Sequence, residues 1–390
     1  LSDERQRAQA LLAYLESRRE AMVEALVELA SIESPTDVPE TQAAVQRRLA
    51  DSLERCGLSV RRIRGRRTAD HLYARPLGRA KGRPAQLLIG HSDTVWPVGT
   101  LETMPVCVKN GHVRGPGTFD MKAGLVQGVF ALEALRALAL EPPATPVWLI
   151  NSDEEIGSPD SKRWVRLLAR TVVRTFVLEP AFGPDGHLKT ARKGVTRFRV
   201  TVRGMPAHAG LDPTAGASAI AELAYVIQKL HALTDLERGT TVNVGTVRGG
   251  TRPNVIAAEA SAEVDVRVRT VAAGEEISRR IHGLEPETAG TSIHVETSVG
   301  IPPLERTGRN RALWAEARAA GERLGLELGD VEAGGGSDGN TTSQFTATLD
   351  GLGAIGDGAH AAHEAVSIDG MVERSALLAE LLMLPLPRFG

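Results

Sequence analysis

The stretch QLLIGHSDTVWPVG, residues 86–99, runs as an apolar strand and then sets a histidine and an aspartate, His91 and Asp93, two positions apart at its end. A short apolar run bounded by turn residues reads as a buried strand. Downstream, PVWLIN and RTFVLEP read the same way. The segments DMKAGLVQGVFALEALRAL (120–138) and SKRWVRLLAR read as helices. Upstream, apolar residues fall at helical spacing over 4–30, and 40–57 reads as an amphipathic helix that stops at Gly57. Strands alternating with helices argue for an α/β sheet with helices on its faces.

After KTARKG the texture changes. VTRFRVTVRG, TTVNVGTVRGG and EASAEVDVRVRTV alternate polar and apolar as half-buried strands do, interleaved with the helix GASAIAELAYVIQKLHAL (216–233) and a weaker one near 275–282. This α+β unit ends near Glu305. A helix over 310–324, a glycine-rich loop, a histidine-rich loop and a final helix over 370–384 then resume the earlier style. The expected organisation is one α/β domain, 1–193 and 306–390, interrupted by an α+β domain at 194–305.

The 390 residues carry 46 Lys and Arg against 48 Asp and Glu, a net charge of −2. That balance gives no global field toward nucleic acid or an anionic membrane, and the arginine-rich run RRIRGRR (61–67) reads as a solvated strand or loop. No apolar stretch is long enough to span a bilayer. Cys56 and Cys107 are the only cysteines, too few for a disulfide framework. A cytoplasmic location is expected, with a periplasmic or secreted one open if a leader preceded the first residue.

Acids and imidazole recur at equivalent strand ends: HSD after the first strand, Glu154 and Glu155 after the second, Glu179 after the third, with Asp120 opening the long helix. In open α/β sheets the carboxyl ends of strands line the ligand crevice, so these side chains can converge there. Clustered carboxylates raise one another's pKa values unless cations are present. Asp120, Glu155 and Glu179 with one hydroxide balance two divalent ions, and the imidazole favours zinc or cobalt over magnesium. Two metals bridged by a carboxylate and a water form a recurrent hydrolytic arrangement.

The segments GHSDTV, GPGTFDMKAG, NSDEEIGS, VLEP, TARKG…GMPAHAG, GGGSDGN and GDGAHAAHEAV closely resemble, in this order and over nearly the whole chain, the dinuclear zinc peptidase and deacylase family that contains glutamate carboxypeptidase, acetylornithine deacetylase, succinyl-diaminopimelate desuccinylase and aminoacylase. Glu179 and the LDGLG segment (349–353) bring it nearest the glutamate carboxypeptidase branch. The resemblance implies a zinc-peptidase-like catalytic domain with a mixed sheet flanked by helices, interrupted by a ferredoxin-like dimerisation domain. It makes Asp120 the bridging ligand, His91 and Glu179 the ligands of one zinc, and Glu155 and His360 those of the other, with cobalt able to substitute. Asp93 orients His91, as metal-bound histidines require. Glu154 takes the proton of the bridging water and returns it to the leaving amine. The Asp120–Met121 peptide is expected to be cis.

His360 fits the motif, while His363 stands where relatives carry an acid and is expected either at the surface or just behind the ligands. In the inserted domain, the resemblance has His208 reaching a metal site, often the partner's in a homodimer, and makes Asn254 and Arg267 the holders of a substrate carboxylate. The loop around Gly336 is expected to bring backbone amides to the substrate. The implied reaction is hydrolysis of the amide bond of a small peptide or N-acyl amino acid, releasing a C-terminal amino acid. The alternative within the family is an N-acyl-amino-acid deacylase. A remote alternative is a serine hydrolase, because Gly335, Ser337 and Gly339 spell G-x-S-x-G ahead of Asp357 and His360. A non-catalytic metal-binding scaffold is disfavoured by the spare base at Glu154.

Overall fold

The computed structural model describes residues 2–78 and 82–387. The chain divides into two compact units, one formed by the described residues up to Thr190 with Arg306–Ala333 and Ser337 onward, the other by Ala191–Glu305 with Gly334–Gly336.

In the first unit a six-stranded sheet runs in the order Leu58–Ile63, His71–Pro76, Thr145–Asn151, Ala85–His91, Arg174–Val177, Ala347–Leu349. The first two ladders are antiparallel and the remaining three parallel, so the sheet is mixed. Every residue of Ala85–His91 and Thr145–Asn151 is buried, as expected of parallel strands covered on both faces. Side chains alternate between two cores. Leu87, Ile89, Val147 and Leu149 pack with Val165 of the helix Lys162–Ala169. Leu88, Trp148, Ile150 and Phe176 pack with the helices Ala123–Ala137 and Ile368–Leu382. Register aligns the strand ends: His91 pairs with Asn151, Ile89 with Val177, and the Leu178 amide donates to Ile89 O. The loops carrying Asp93, Glu154–Glu155 and Glu179 therefore leave the sheet side by side.

A small antiparallel sheet in the same unit pairs Gly356–Asp357 with Ala365–Ser367, and the latter with His112–Arg114. The hairpin bearing His360 is thereby laid beside the segment that leads into Asp120.

The second unit runs strand, helix, strand, strand, helix, strand, with the antiparallel order Thr241–Gly249, Glu259–Val268, Gly194–Arg203, Ser292–Ile301. Its helices Ala219–His231 and Val271–His282 pack through Leu223, Val226, Leu230, Ile277 and Ile281 onto Phe198, Val200, Val264 and Val266. This is the ferredoxin-like arrangement of an inserted α+β domain. The other face is solvated and carries cross-strand ion pairs such as Arg199–Glu263, each contributing about 0.2–1 kcal/mol.

Several local expectations are corrected. The 4–30 helix is two helices, Ser2–Ser17 and Arg19–Ala30, because Arg18 leaves helical geometry at ψ 4. The long helix begins at Ala123, since Asp120 and Met121 have non-helical dihedrals. A strand at Ser292–Ile301 completes the inserted sheet where none was expected. The segment after the glycine-rich loop, poor in helix formers, still forms the short helix Asp338–Thr342, because Ser337 and Asn340 build a capping box at its start.

Candidate metal centre

His91 ends its strand with 1% exposure. Its Nδ1 faces the Asp93 carbonyl oxygen at 3.0 Å and the Asp93 carboxylate at 3.4 Å. Proton donation on that side leaves Nε2 as a lone-pair donor aimed at Asp120 Oδ1 (3.3 Å) and Glu179 Oε1 (3.5 Å). The buried Asp93 carboxylate also accepts from Thr36 Oγ1 (2.7 Å) and, at 3.3 Å each, from the amides of Glu154 and Glu155. One aspartate thus orients the imidazole and anchors the turn carrying both glutamates.

Asp120 lies between Gly117, at φ 69, and the helix Ala123–Ala137, and the Asp120–Met121 peptide is cis. Its two oxygens face opposite ways: Oδ1 toward His91, Oδ2 toward His360 Nε2 at 3.3 Å. His360 Nε2 also meets Glu155 Oε2 at 3.2 Å. His360 holds φ 60, a left-handed conformation in which histidine is over-represented among non-glycine residues. Two triads result, His91/Asp120/Glu179 and Asp120/Glu155/His360, each offering nitrogen and oxygen atoms within 4.8 Å of one another that could hold a metal ion.

The electrostatics are those of a negative cluster. Burial opposes the charge of His91, yet Asp120, Asp93 and Glu179 lift its pKa well above the ordinary value. Asp120 and Glu155 lift His360 to about 10. Burial works against ionisation of Asp120, but His360 and His91 hold it below the usual carboxylate range. Burial, then the charge of Glu179, pushes Glu154 well above that range, and burial raises Glu155. His91 Nε2, Asp120 Oδ1 and Glu155 Oε1 are buried and have no hydrogen-bond partner. Orphaned lone pairs of this kind, on imidazole and carboxylate converging from three loops, fit a metal ion.

None of the remaining expected residues belongs to either triad. His363 is exposed, 3.7 Å from Asp357. His208, in the second unit, is exposed, and its Nδ1 accepts from the amides of Gly210 (3.2 Å) and Leu211 (3.1 Å). The proton therefore sits on Nε2, which is left as a donor. The Ala209 amide donates to Asn254 O, so His208 and Asn254 share one pair of loops. Arg267 is ion-paired with Asp265 at 2.6 Å and reaches Gly334 O at 3.4 Å. The carbonyls of Gly335 and Gly336 accept from Arg192. The serine-hydrolase alternative fails: Ser337 is buried and donates to the Asp350 carboxylate at 2.5 Å, while His360 faces Asp120 and Glu155. Ser337 is a helix cap, and His360 is not its base. Glu364 closes the motif that begins at His360 but has no expected role; it is wholly buried beside Asp120, and its partners lie on loops distant in sequence.

A mixed sheet whose strand ends gather carboxylates and imidazoles around one shared aspartate defines a metallohydrolase. Residues 87–384 match the model of peptidase family M20/M25/M40, and the chain belongs to that family. It is 27% identical over 375 residues to carboxypeptidase G2 of Pseudomonas sp. (strain RS-16), covering 93% of this chain and 89% of the relative. Identity is also 27% over 352 residues to succinyl-diaminopimelate desuccinylase of Dechloromonas aromatica (strain RCB), covering 86% and 91%. The aminopeptidase PepT structure from Bacillus cereus superposes with a TM-score of 0.77 at 22% identity, over 94% of this chain and 98% of that one, a likeness of fold. Among the described residues no helix is long and apolar enough to cross a membrane.

Proposed function

We propose that the chain is a two-zinc hydrolase that cleaves the amide bond of a small peptide or N-acyl amino acid and releases a C-terminal amino acid. The observation that carries this reading is Asp120, whose two oxygens are shared between two separate ligand triads. Asp120 would be shared by the two ions, His91 and Glu179 would hold one of them, and Glu155 and His360 would hold the other. When bound, the ions supply Lewis-acid polarisation of the scissile carbonyl and acidify a water to near-neutral pKa.

The chain's own groups do the rest. Glu154 adjoins the ligand Glu155 but belongs to neither triad, and burial together with Glu179 raises its pKa, which favours uptake of a proton that it then passes to the leaving amine. His208, with its proton fixed on Nε2, donates to the oxyanion, in the partner's site of a homodimer formed through the inserted domain. Exposed Ile220, Tyr225 and Val247 on that domain are apolar surface available to such a dimer. Asn254 and Arg267 take the substrate carboxylate, and the segment at Gly336 borders it. The second reading, an N-acyl-amino-acid deacylase, is favoured by a desuccinylase relative as similar as the carboxypeptidase.

A panel of dipeptides and N-acyl amino acids, assayed after chelation and after zinc or cobalt addition, tests this. Hydrolysis is expected to vanish and return. Activity that survives chelation sinks the reading, and the preferred acyl group separates its two forms.

A further inference from the structure

Glu364 is 0% exposed and lies on the loop that presents His360. Its Oε1 accepts from the amides of Phe119 (2.8 Å) and Asp120 (3.0 Å). Oε2 accepts from the Gly117 amide (2.9 Å) and the Trp96 indole Nε1 (2.8 Å). Its backbone joins the same arrangement, since the Gly115 amide donates to Glu364 O at 3.3 Å. The loop closes through two consecutive turns, Ala361 N to Gly358 O at 2.8 Å, which encloses His360, and Glu364 N to Ala361 O at 2.9 Å, which links it to Glu364. Gly358, at φ 81, has no room for a Cβ, which would stand 2.9 Å from Glu364 N.

Four donors on one side chain use two lone pairs on each oxygen, a capacity only a carboxylate has. Hydrogen bonds to an ionised acceptor are roughly twice as strong as neutral ones. The donors come from two segments: Trp96 follows His91 and Asp93 on the first strand-end loop, and Gly117–Asp120 carries the shared aspartate. Glu364 itself shares its loop with His360. One carboxylate therefore ties together the three loops that hold His91, Asp120 and His360.

We propose that Glu364 is the positioning residue of the metal centre, fixing the main chain of Asp120 against the loops of His91 and His360 so that both oxygens of Asp120 face their triads. The inference rests on the metal-centre reading above. Glu364→Gln supplies one acceptor oxygen and sets its NH2 group against two N–H donors in either amide orientation. Outer-shell partners of metal ligands typically contribute about 10–100-fold in metal affinity, and a loss of that size is expected for zinc.

The test strips wild type, Glu364→Gln and Trp96→Phe of metal and titrates each with zinc against a chromophoric chelator. Circular dichroism and thermal unfolding of the metal-free forms run alongside. A merely structural glutamate lowers the metal-free Tm and leaves zinc Kd unchanged, whereas a positioning one raises Kd in variants that remain folded. Trp96→Phe removes one donor of four and is expected to raise Kd less, in the same direction; if Glu364→Gln does not fold, this variant decides. Wild-type Kd in the folded variants overturns the inference alone. Failure of the wild-type chain to bind zinc overturns the metal-centre reading with it.

Discussion

Gly124 occupies the second position of the helix Ala123–Ala137, four residues after the shared aspartate. A Cβ built there would stand 2.1 Å from the carbonyl oxygen of Leu178 and 3.3 Å from the Met121 methyl. Leu178 is the residue before Glu179, so Gly124→Ala would press the helix start against the strand end that carries another proposed ligand. Carbon and oxygen do not approach closer than roughly 3 Å, so a gap of about 1 Å must open between two backbone segments. Overpacking of this kind costs typically 1–3 kcal/mol. Helix propensity points the other way, since alanine exceeds glycine by about 1 kcal/mol in a helix interior. The structure thus predicts the opposite sign: a lower Tm, and a displacement of about 1 Å in the proposed site, which costs on the order of 100-fold in turnover. Thermal unfolding of the purified variant, zinc content by elemental analysis and kcat/KM on the best amide substrate measure the three consequences. A Tm raised above wild type with full activity would refute the reasoning, because it would mean the helix start yields without cost.

Glu154→Gln is expected to retain both metals while turnover falls by several orders of magnitude, because proton transfer is lost and coordination is not; loss of one metal equivalent would make Glu154 a ligand. Subunits of inactive His208→Ala mixed with inactive Glu154→Gln under exchange are expected to regain activity, since each hybrid dimer has one site with both groups intact. No recovery, with hybrids confirmed by mass, would remove the cross-subunit role. Asp338 is buried, and burial pushes its carboxyl from 3.8 up to about 7 against donors on Ser158 and Asn151. A carboxyl raised in the folded state penalises folding as pH climbs from about 4 to about 7 and no further, by at most about 4 kcal/mol. Asp338→Asn keeps an acceptor for Asn151 and a partner for Ser158, so Tm should rise at pH 8 and not at pH 4; equal shifts at both would refute the penalty.

The sequence by itself determined the architecture wherever the signal was local and periodic. Continuous apolar runs marked Ala85–His91 and Thr145–Asn151 as doubly covered strands, and alternation marked Gly194–Arg203 and Glu259–Val268 as half-buried ones. Acids and imidazole at successive strand ends followed from the same periodicity, and the order of motifs along the chain pointed to the family that residues 87–384 match. The tertiary structure decided what depends on groups distant in sequence. It broke the helical pattern at Asp120, whose amide is taken by Glu364 from 244 residues away. It made Ser337 the cap of a helix, its hydroxyl accepting from the Gly339 amide and donating to Asp350, where the sequence offered the letters of a nucleophile elbow. It set the strand Ser292–Ile301, whose apolar alternation is a local signal the expected organisation did not use, at the edge of the inserted sheet beside Gly194–Arg203. Periodicity records which face of an element is buried; the partner of a buried carboxylate is set by where the chain returns, and only folding brings that partner within 3 Å.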